Sequence, residues 1–323
     1  MDTGVHIRLK MKFLALGGVV LISLLQAKCQ PEPTLTITLG GDVILGREGK
    51  PVFTGDPWGG LVPAETAADG SRNWFLVNLE SPLGSMNETT HTSKDGYNLC
   101  APTDAAAILN LGSVDLVSVA NNHLGDCGET NEPSRVLPGI TPIFEGQPAF
   151  LESPAGTAAI VAVDAVSKPL DMAALLADVD RIRAKADFVI VSLHWGREYA
   201  GEPTRFQREQ AQQLADAGVD VLWGHHPHVL QPAEWIDSAD GSHHMLALYS
   251  LGNLLTDQTM TFETRHSAII ELEVKRGKIS QLRFQPLVLM QKGGRLTLVS
   301  ADKDQEERIS DRLGWGQLLE SLP

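Results

Sequence analysis

The sequence predicts an α/β chain folded as a four-layer α/β/β/α sandwich over residues 34–300. Three observations carry this reading. Short apolar runs rich in β-branched residues recur along the chain. Helix-periodic stretches fall between several of them. The last third then changes to strand signals joined by a hairpin. A length of 323 residues suits one large domain or two small ones, and 43% hydrophobic with 20% charged residues is ordinary for a packed chain.

The first run, residues 35–39, alternates Leu, Thr, Ile, Thr, Leu and meets Gly40-Gly41. Runs at 74–79, 116–120, 158–163, 188–193, 219–223 and 245–249 follow, each with the length of a buried strand. A helix is expected from a Thr103 cap to Leu111, stopped by Gly112. A second covers 170–184, and a third runs from a Thr204 cap to Ala217, stopped by Gly218. Residues 267–274 and 279–289 flank Arg276-Gly277-Lys278, a hairpin signal, and 295–299 adds another strand. These antiparallel strands suggest a second sheet packed on the first. Residues 304–319 read as one amphipathic helix within a C-terminal segment, 301–323.

Ahead of the sandwich, Arg8, Lys10 and Lys12 precede an apolar run over 13–25, and Pro31-Glu32-Pro33 follows as a spacer. That run is short for a bilayer span and right for a signal-peptide core, so residues 1–29 are expected to be an export signal, with Met11 an alternative start. Cys29 follows Lys28, where a bacterial lipoprotein signal has a small residue. Lipidation at Cys29 and simple cleavage near Ala27 therefore both stand. Either places the protein in the cell envelope, as a periplasmic chain or a membrane-anchored lipoprotein. In that oxidising compartment Cys100 and Cys127 either pair as a disulfide or stay two buried thiols.

The formal net charge is −14, from 40 acidic and 26 basic residues. Such a surface repels phosphate backbones and excludes nucleic acid as a partner. It repels other polyanions too, so an anionic substrate needs cations close to the site.

Metal-competent side chains stand at the ends of the runs: Asp42 after the first, Asn78 and Glu80 at the second, Asn121, Asn122 and His123 after the third, His194 at the fifth, and His225, His226 and His228 after the sixth. Sites in open α/β sheets form outside the carboxyl ends of strands. Carboxylates with imidazoles suit Mn²⁺, Zn²⁺ or Fe²⁺ rather than Ca²⁺, which takes oxygen cages. His226 and His228 are two apart, so an extended segment stiffened by Pro227 aims both the same way. Glu80 has the chemistry to bridge two ions about 3.5–4 Å apart. Arg47 is placed to hold an anionic substrate group or to form a salt bridge. Asn78 and Asn253 contact substrate or support ligands. Trp195 and Tyr199 read as packing residues and Asp126 as a turn or supporting residue. His91, His243, His244 and His266 have no supporting pattern.

Six blocks now stand in order: Gly41-Asp42-Val43-Ile44-Leu45-Gly46-Arg47, Asn78-Leu79-Glu80-Ser81-Pro82-Leu83, Ala120-Asn121-Asn122-His123, Leu193-His194-Trp195-Gly196, Gly224-His225-His226-Pro227-His228 and Tyr249-Ser250-Leu251-Gly252-Asn253. Together they resemble the CapA-type poly-γ-glutamate capsule synthesis proteins, a family similar to calcineurin-like metallophosphoesterases. The resemblance implies a metallophosphoesterase-like sandwich holding two divalent ions. Asp42 corresponds to the first-strand metal aspartate, and Glu80 replaces the bridging aspartate. Asn122, His194, His226 and His228 match the remaining ligands. His123 matches the catalytic histidine that protonates the leaving group or steadies the transition state. Two departures stand out. Ile44 occupies the position where phosphoesterases carry a histidine ligand, which leaves one ion position weaker or filled by another donor. Cys127 follows Asp126 where family members usually carry tyrosine. The Pro-rich stretch 129–156 aligns poorly.

Two classes of function follow. One is an enzyme of metal-assisted hydrolysis or transfer, at an amide of the anionic capsule polymer or, unrelated to capsule, at a phosphoester. The other is a non-catalytic component that holds the polymer for membrane-bound capsule synthesis and export proteins. A purely structural surface lipoprotein is disfavoured by the ligand set.

Overall fold

The apolar runs become two sheets packed face to face. A computed structural model describes residues 32–63, 65–66, 71–86, 96–128 and 137–322, so the expectations for residues 1–29, Cys29 included, and for His91 lie outside the described residues. The strands are β1 Leu35–Val43, β2 Gly46–Arg47, β3 Lys50–Pro51, β4 Asn73–Leu79, β5 Leu116–Ser118, β6 Thr141–Ile143, β7 Ala149–Ser153, β8 Gly156–Asp164, β9 Phe188–His194, β10 Val221–His225, β11 Ala233–Asp237, β12 His244–Leu248, β13 Asn253–Leu255, β14 His266–Lys275, β15 Lys278–Lys292 and β16 Arg295–Ser300. The helices are α1 Ala106–Leu111, α2 Met172–Arg183, α3 Arg205–Asp216, α4 Lys303–Leu313 and α5 Trp315–Glu320.

The first sheet runs β16-β15-β14-β1-β4-β5-β6, with β13 pairing β1, and the second runs β11-β12-β10-β9-β8-β7. Ile37, Leu39 and Leu76 of the first sheet bury against Ile160, Ile190 and Trp223 of the second. The outer face of the first sheet, with Phe75 and Val77, is covered by Leu109 of α1. The outer face of the second, with Val191 and Leu222, is covered by Val179 of α2 and Leu214 of α3. Each such side chain stabilises the fold by about 1.5–3 kcal/mol on full burial. The four-layer α/β/β/α arrangement is therefore the observed one. Two hydrogen bonds pin the sheets together near the site: Trp223 Nε1 donates to Gly40 O at 2.9 Å, and Ser192 Oγ to Ser118 Oγ at 3.1 Å.

The helix ends follow their sequence signals with one exception. Thr204 caps α3 in a reciprocal capping box with Gln207, and Asp171 caps α2 through Ala174 N. Thr103, by contrast, is not a cap. It opens a one-turn 3₁₀ segment whose N-cap is Pro102, with φ already at −65°, and that turn leads into α1.

The C-terminal strands also differ from expectation. They do not start a second sheet; β14 pairs antiparallel with β1, Leu35 opposite Val274, and extends the first. Local pattern identifies these segments as strands, but their partner is set by an edge of β1 left open more than two hundred residues earlier. The expected single C-terminal helix is split at Gly314, whose φ of 67° is the left-handed conformation that ends α4. Ile309 and Leu313 of α4 and Trp315 and Leu318 of α5 then join the core between the sheets.

Cys100 and Cys127 are linked by a disulfide, with Cα atoms 4.9 Å apart across 27 residues of sequence. A loop of that size is expected to lend about 3 kcal/mol through the unfolded chain. Reduction should accordingly lower the urea midpoint of the purified protein clearly. Superimposable unfolding curves with and without reductant would show that the bond contributes nothing.

Candidate metal centre

The parallel registers carry the polar strand ends to one edge. Across the first sheet Asn253, Asp42, Asn78 and Ser118 are successive register partners. Across the second, His225, His194 and Asp164 are. Register slips in β1 between Leu39 and Asp42, where Gly40-Gly41 sits. A Cβ on Gly41 would stand 2.0 Å from the carbonyl oxygen of Gly252. Glycine is thus required for the approach that lets Asp42 N donate to that oxygen at 2.9 Å. The irregularity re-aims the strand end that carries Asp42.

Glu80 is fully buried, and neither of its carboxylate oxygens has a hydrogen bond. Its Oε1 is 3.5 Å from His194 Nε2, 3.6 Å from His228 Nε2 and 3.9 Å from His123 Nε2. The first two are the separations of atoms facing a common ion, since two ligand atoms at about 2.1 Å in a tetrahedral shell lie about 3.4 Å apart. Asp42 accepts from Asn78 Nδ2 at 2.8 Å, and its Oδ2 is 3.3 Å from His228 Nδ1. Three triads result, each with donor atoms within 4.8 Å of one another, and two of them, Asp42–Glu80–His228 and Glu80–His194–His226, include Glu80.

Around them Asn122 Oδ1, His194 Nε2, His226 Nδ1 and both ring nitrogens of His225 are buried without hydrogen bonds. An unsatisfied buried polar atom costs about 1–3 kcal/mol, so this concentration at one edge fits a cationic guest. The donor set suits borderline divalent metals.

Electrostatics within the cluster are correspondingly strained. Burial pushes the Asp42 carboxyl up, and facing His225 and His228 outweigh it, holding it well below the usual range. Burial lifts Glu80 to about 7 against the pull of His228. Burial draws His228 down, but Glu80 and then Asp42 overcome that and raise it to about 9. Burial and His228 together bring His226 down to about 3.

The structure brings Asp42, Glu80, His194, His226 and His228 together and sets His123 beside Glu80. Asn122 follows Asn121, whose Nδ2 ties the loop to Leu79 O at 2.9 Å. Asn78 and Asn253 contact candidate ligands: Asn78 Nδ2 donates to Asp42, and Asn253 Oδ1 is 3.0 Å from His228 Nδ1, which leaves His228 Nε2 to face Glu80. Asp126 supports the site, with its Oδ2 2.9 Å from His123 Nδ1 while accepting from Leu99 N at 2.6 Å. Arg47 is in the salt-bridge arrangement, its Nε 2.6 Å from Asp257 Oδ2.

Two expectations need correction. The His226-Pro227-His228 segment is not extended: φ is 95° at His226 and 59° at His228. Left-handed backbone at two candidate ligands so close in sequence is the strain commonly stored at functional sites. Tyr199 does not pack in the core as Trp195 does against Tyr249; it is 49% exposed, with its ring 6.2 Å from that of His228. Sequence reasoning missed Glu198, whose carboxylate groups with His226 and His228. The only hint was its place three residues beyond Trp195, in the loop after a strand that ends in a ligand.

A family model described as "Bacterial capsule synthesis protein PGA_cap" matches residues 36–131 and 144–258. Among curated proteins the chain is similar to "PGA biosynthesis protein CapA" of Bacillus subtilis (strain 168), 35% identical over 119 residues that make up 37% of this chain and 30% of that protein. It is also similar to "Capsule biosynthesis protein CapA" of Bacillus anthracis, 23% identical over 310 residues, 87% of this chain and 74% of that protein. Among solved structures, a hypothetical protein from Thermus thermophilus superimposes with a TM-score of 0.49 at 14% identity, covering 78% of this chain and 98% of that one. A novel phosphatase from Mycoplasma pneumoniae gives 0.48 at 10% identity, covering 86% and 98%.

Proposed function

Because this chain belongs to the family of bacterial capsule synthesis proteins, we propose that it is an envelope enzyme holding two divalent ions and hydrolysing or transferring at amide bonds of poly-γ-glutamate. The observation that carries the proposal is Glu80, a buried carboxylate without hydrogen bonds that is common to two triads of donors. Asp42, Glu80 and His228 would hold one ion, and Glu80, Asn122, His194 and His226 the other. When bound, such a pair supplies Lewis acidity and a nucleophile at neutral pH.

The chain's own residues do the rest. Asn78 and Asn253 fix Asp42 and His228. In the metal-free protein burial draws His123 down, but the Asp126 hydrogen bond and the Glu80 charge outweigh it and raise it, which suits an imidazole that gives a proton to a leaving group. The ions would supply the local positive charge that an acidic protein needs to receive a polyanion, since Arg47 is paired with Asp257; more distant surface carboxylates are screened beyond about 8 Å.

The test is to load the purified full chain with Mn²⁺ or Zn²⁺ and assay poly-γ-glutamate beside a generic phosphodiester. New amine termini from the polymer are expected. Turnover of the phosphodiester alone would replace this reading with a phosphoesterase, and polymer binding without turnover would make the chain a holding component of the export machinery.

Ion binding must also release protons, since only neutral imidazole ligates. With His228 raised to about 9, the metal-free protein carries a proton there at neutral pH. Apparent affinity should therefore climb with pH, by up to about tenfold per unit between about 7 and 9, and more steeply below about 7, where the Glu80 carboxyl also holds a proton. Calorimetry in buffers of different ionisation enthalpy should count about one proton released at pH near 7.5. Affinity independent of pH would remove His228 from the ligands.

A further inference from the structure

The triad Asp42–Glu80–His228 offers three protein donors, and Ile44, two residues past Asp42, is fully buried and has none to add. Glu198 lies close by. Its carboxylate and one nitrogen each of His226 and His228 are all within 4.8 Å of one another. The two histidines fall in different Glu80 triads, so Glu198, like Glu80, is shared between donors of the two ion positions. His226 is 5% exposed and its Nδ1 has no hydrogen bond, which leaves a buried donor atom in the same group.

The loop that carries Glu198 is tied down over the histidine segment. Trp195 N donates to His225 O at 3.1 Å, and Tyr199 N donates to Pro227 O at 2.8 Å, the carbonyl between the two ligands. Gln231 Nε2 donates to Ala200 O at 2.7 Å. Gly196 turns the chain with φ 87°, and Tyr199 adopts φ 61°. A non-glycine residue persists in that conformation when its surroundings fix it, and here the fixing contacts are those that seat Glu198 beside His226 and His228.

We propose that Glu198 is a metal ligand, a second carboxylate shared by the two ion positions. This rests on the two-ion reading above and adds to it. A further hard oxygen donor shifts the preference of the site toward Mn²⁺ and away from Zn²⁺. His225 is the competing donor: its Nδ1 is 3.5 Å from Asp42 Oδ1, but it joins no triad.

The experiment is metal stoichiometry and affinity for the full chain and for Glu198→Gln, Glu198→Asp and His225→Ala, titrated with Mn²⁺ alone and read by bound metal and by the paramagnetic resonance spectrum. Wild type should bind two ions with a spin-coupled signal. Glu198→Gln should weaken one ion at least about 10–100-fold and give the spectrum of an isolated ion, while Glu198→Asp recovers part of the loss. Two ions at wild-type affinity in Glu198→Gln, or a loss confined to His225→Ala, would overturn the assignment of Glu198. A wild type that binds no ion at all would instead defeat the two-ion reading beneath it.

Discussion

Replacing His123 with alanine is expected to cut turnover on poly-γ-glutamate by about 10²–10⁴ while both ions stay bound. His123 Nε2 is 3.9 Å from Glu80 Oε1, near the cluster but outside both triads, so its removal takes away a proton donor and no metal ligand. Its other nitrogen is held at 2.9 Å by Asp126, and Asp126 is held by Leu99 N, in the loop stapled by the Cys100–Cys127 bond. Asp126→Asn should therefore give a smaller loss of the same kind, by loosening the ring and weakening its hold on the proton. The pH profile separates a chemical role from a structural one. His123 is raised above its ordinary value, burial being outweighed by Asp126 and Glu80. If it acts as the acid, activity falls as pH rises through that raised value, and this alkaline limb disappears in His123→Ala. Wild-type turnover in the variant would reduce His123 to a packing residue.

The clustering of the candidate ligands was legible in sequence because parallel strands put their carboxyl ends on one edge. A strand pattern followed by Asp42, Glu80, His194 or His226 therefore reports a shared location without any knowledge of strand order. The layers were legible for a related reason: runs buried on both faces require cover on both. What stayed hidden depends on backbone conformation and long-range pairing. Nothing local shows that β14 would find β1, or that His226 and His228 would take left-handed φ. Glu198 lies on a loop with no periodicity, and its position is fixed by a hydrogen bond from Tyr199 N to Pro227 O, residues 28 positions apart in sequence. Gly314 is readable, since a glycine within a helical pattern near its end is a stop signal.

The largest effect of all is expected from removing His226 and His228 together. Each belongs to a different one of the two triads that contain Glu80, so a single replacement should weaken mainly one ion and the double replacement should abolish binding of the pair. The donors left, Asp42, Glu80, Asn122, His194 and the proposed Glu198, contain a single imidazole. Alanine is an imperfect probe here for two physical reasons. Positions with φ of 95° and 59° disfavour it, whereas asparagine tolerates left-handed backbone better. Removing His228 also strips Asp42 and Glu80 of a buried counter-charge, and stranding a buried charge costs about 3–5 kcal/mol. The His226→Asn, His228→Asn pair should therefore be measured beside the alanine pair, with circular dichroism to show that each still folds. A folded double variant with bound metal near zero is the expected result. A folded double variant that retains two ions per chain would move the centre elsewhere on the molecule, and the proposal that Glu198 joins it would fall at the same time, since Glu198 is placed at the cluster only through these two histidines.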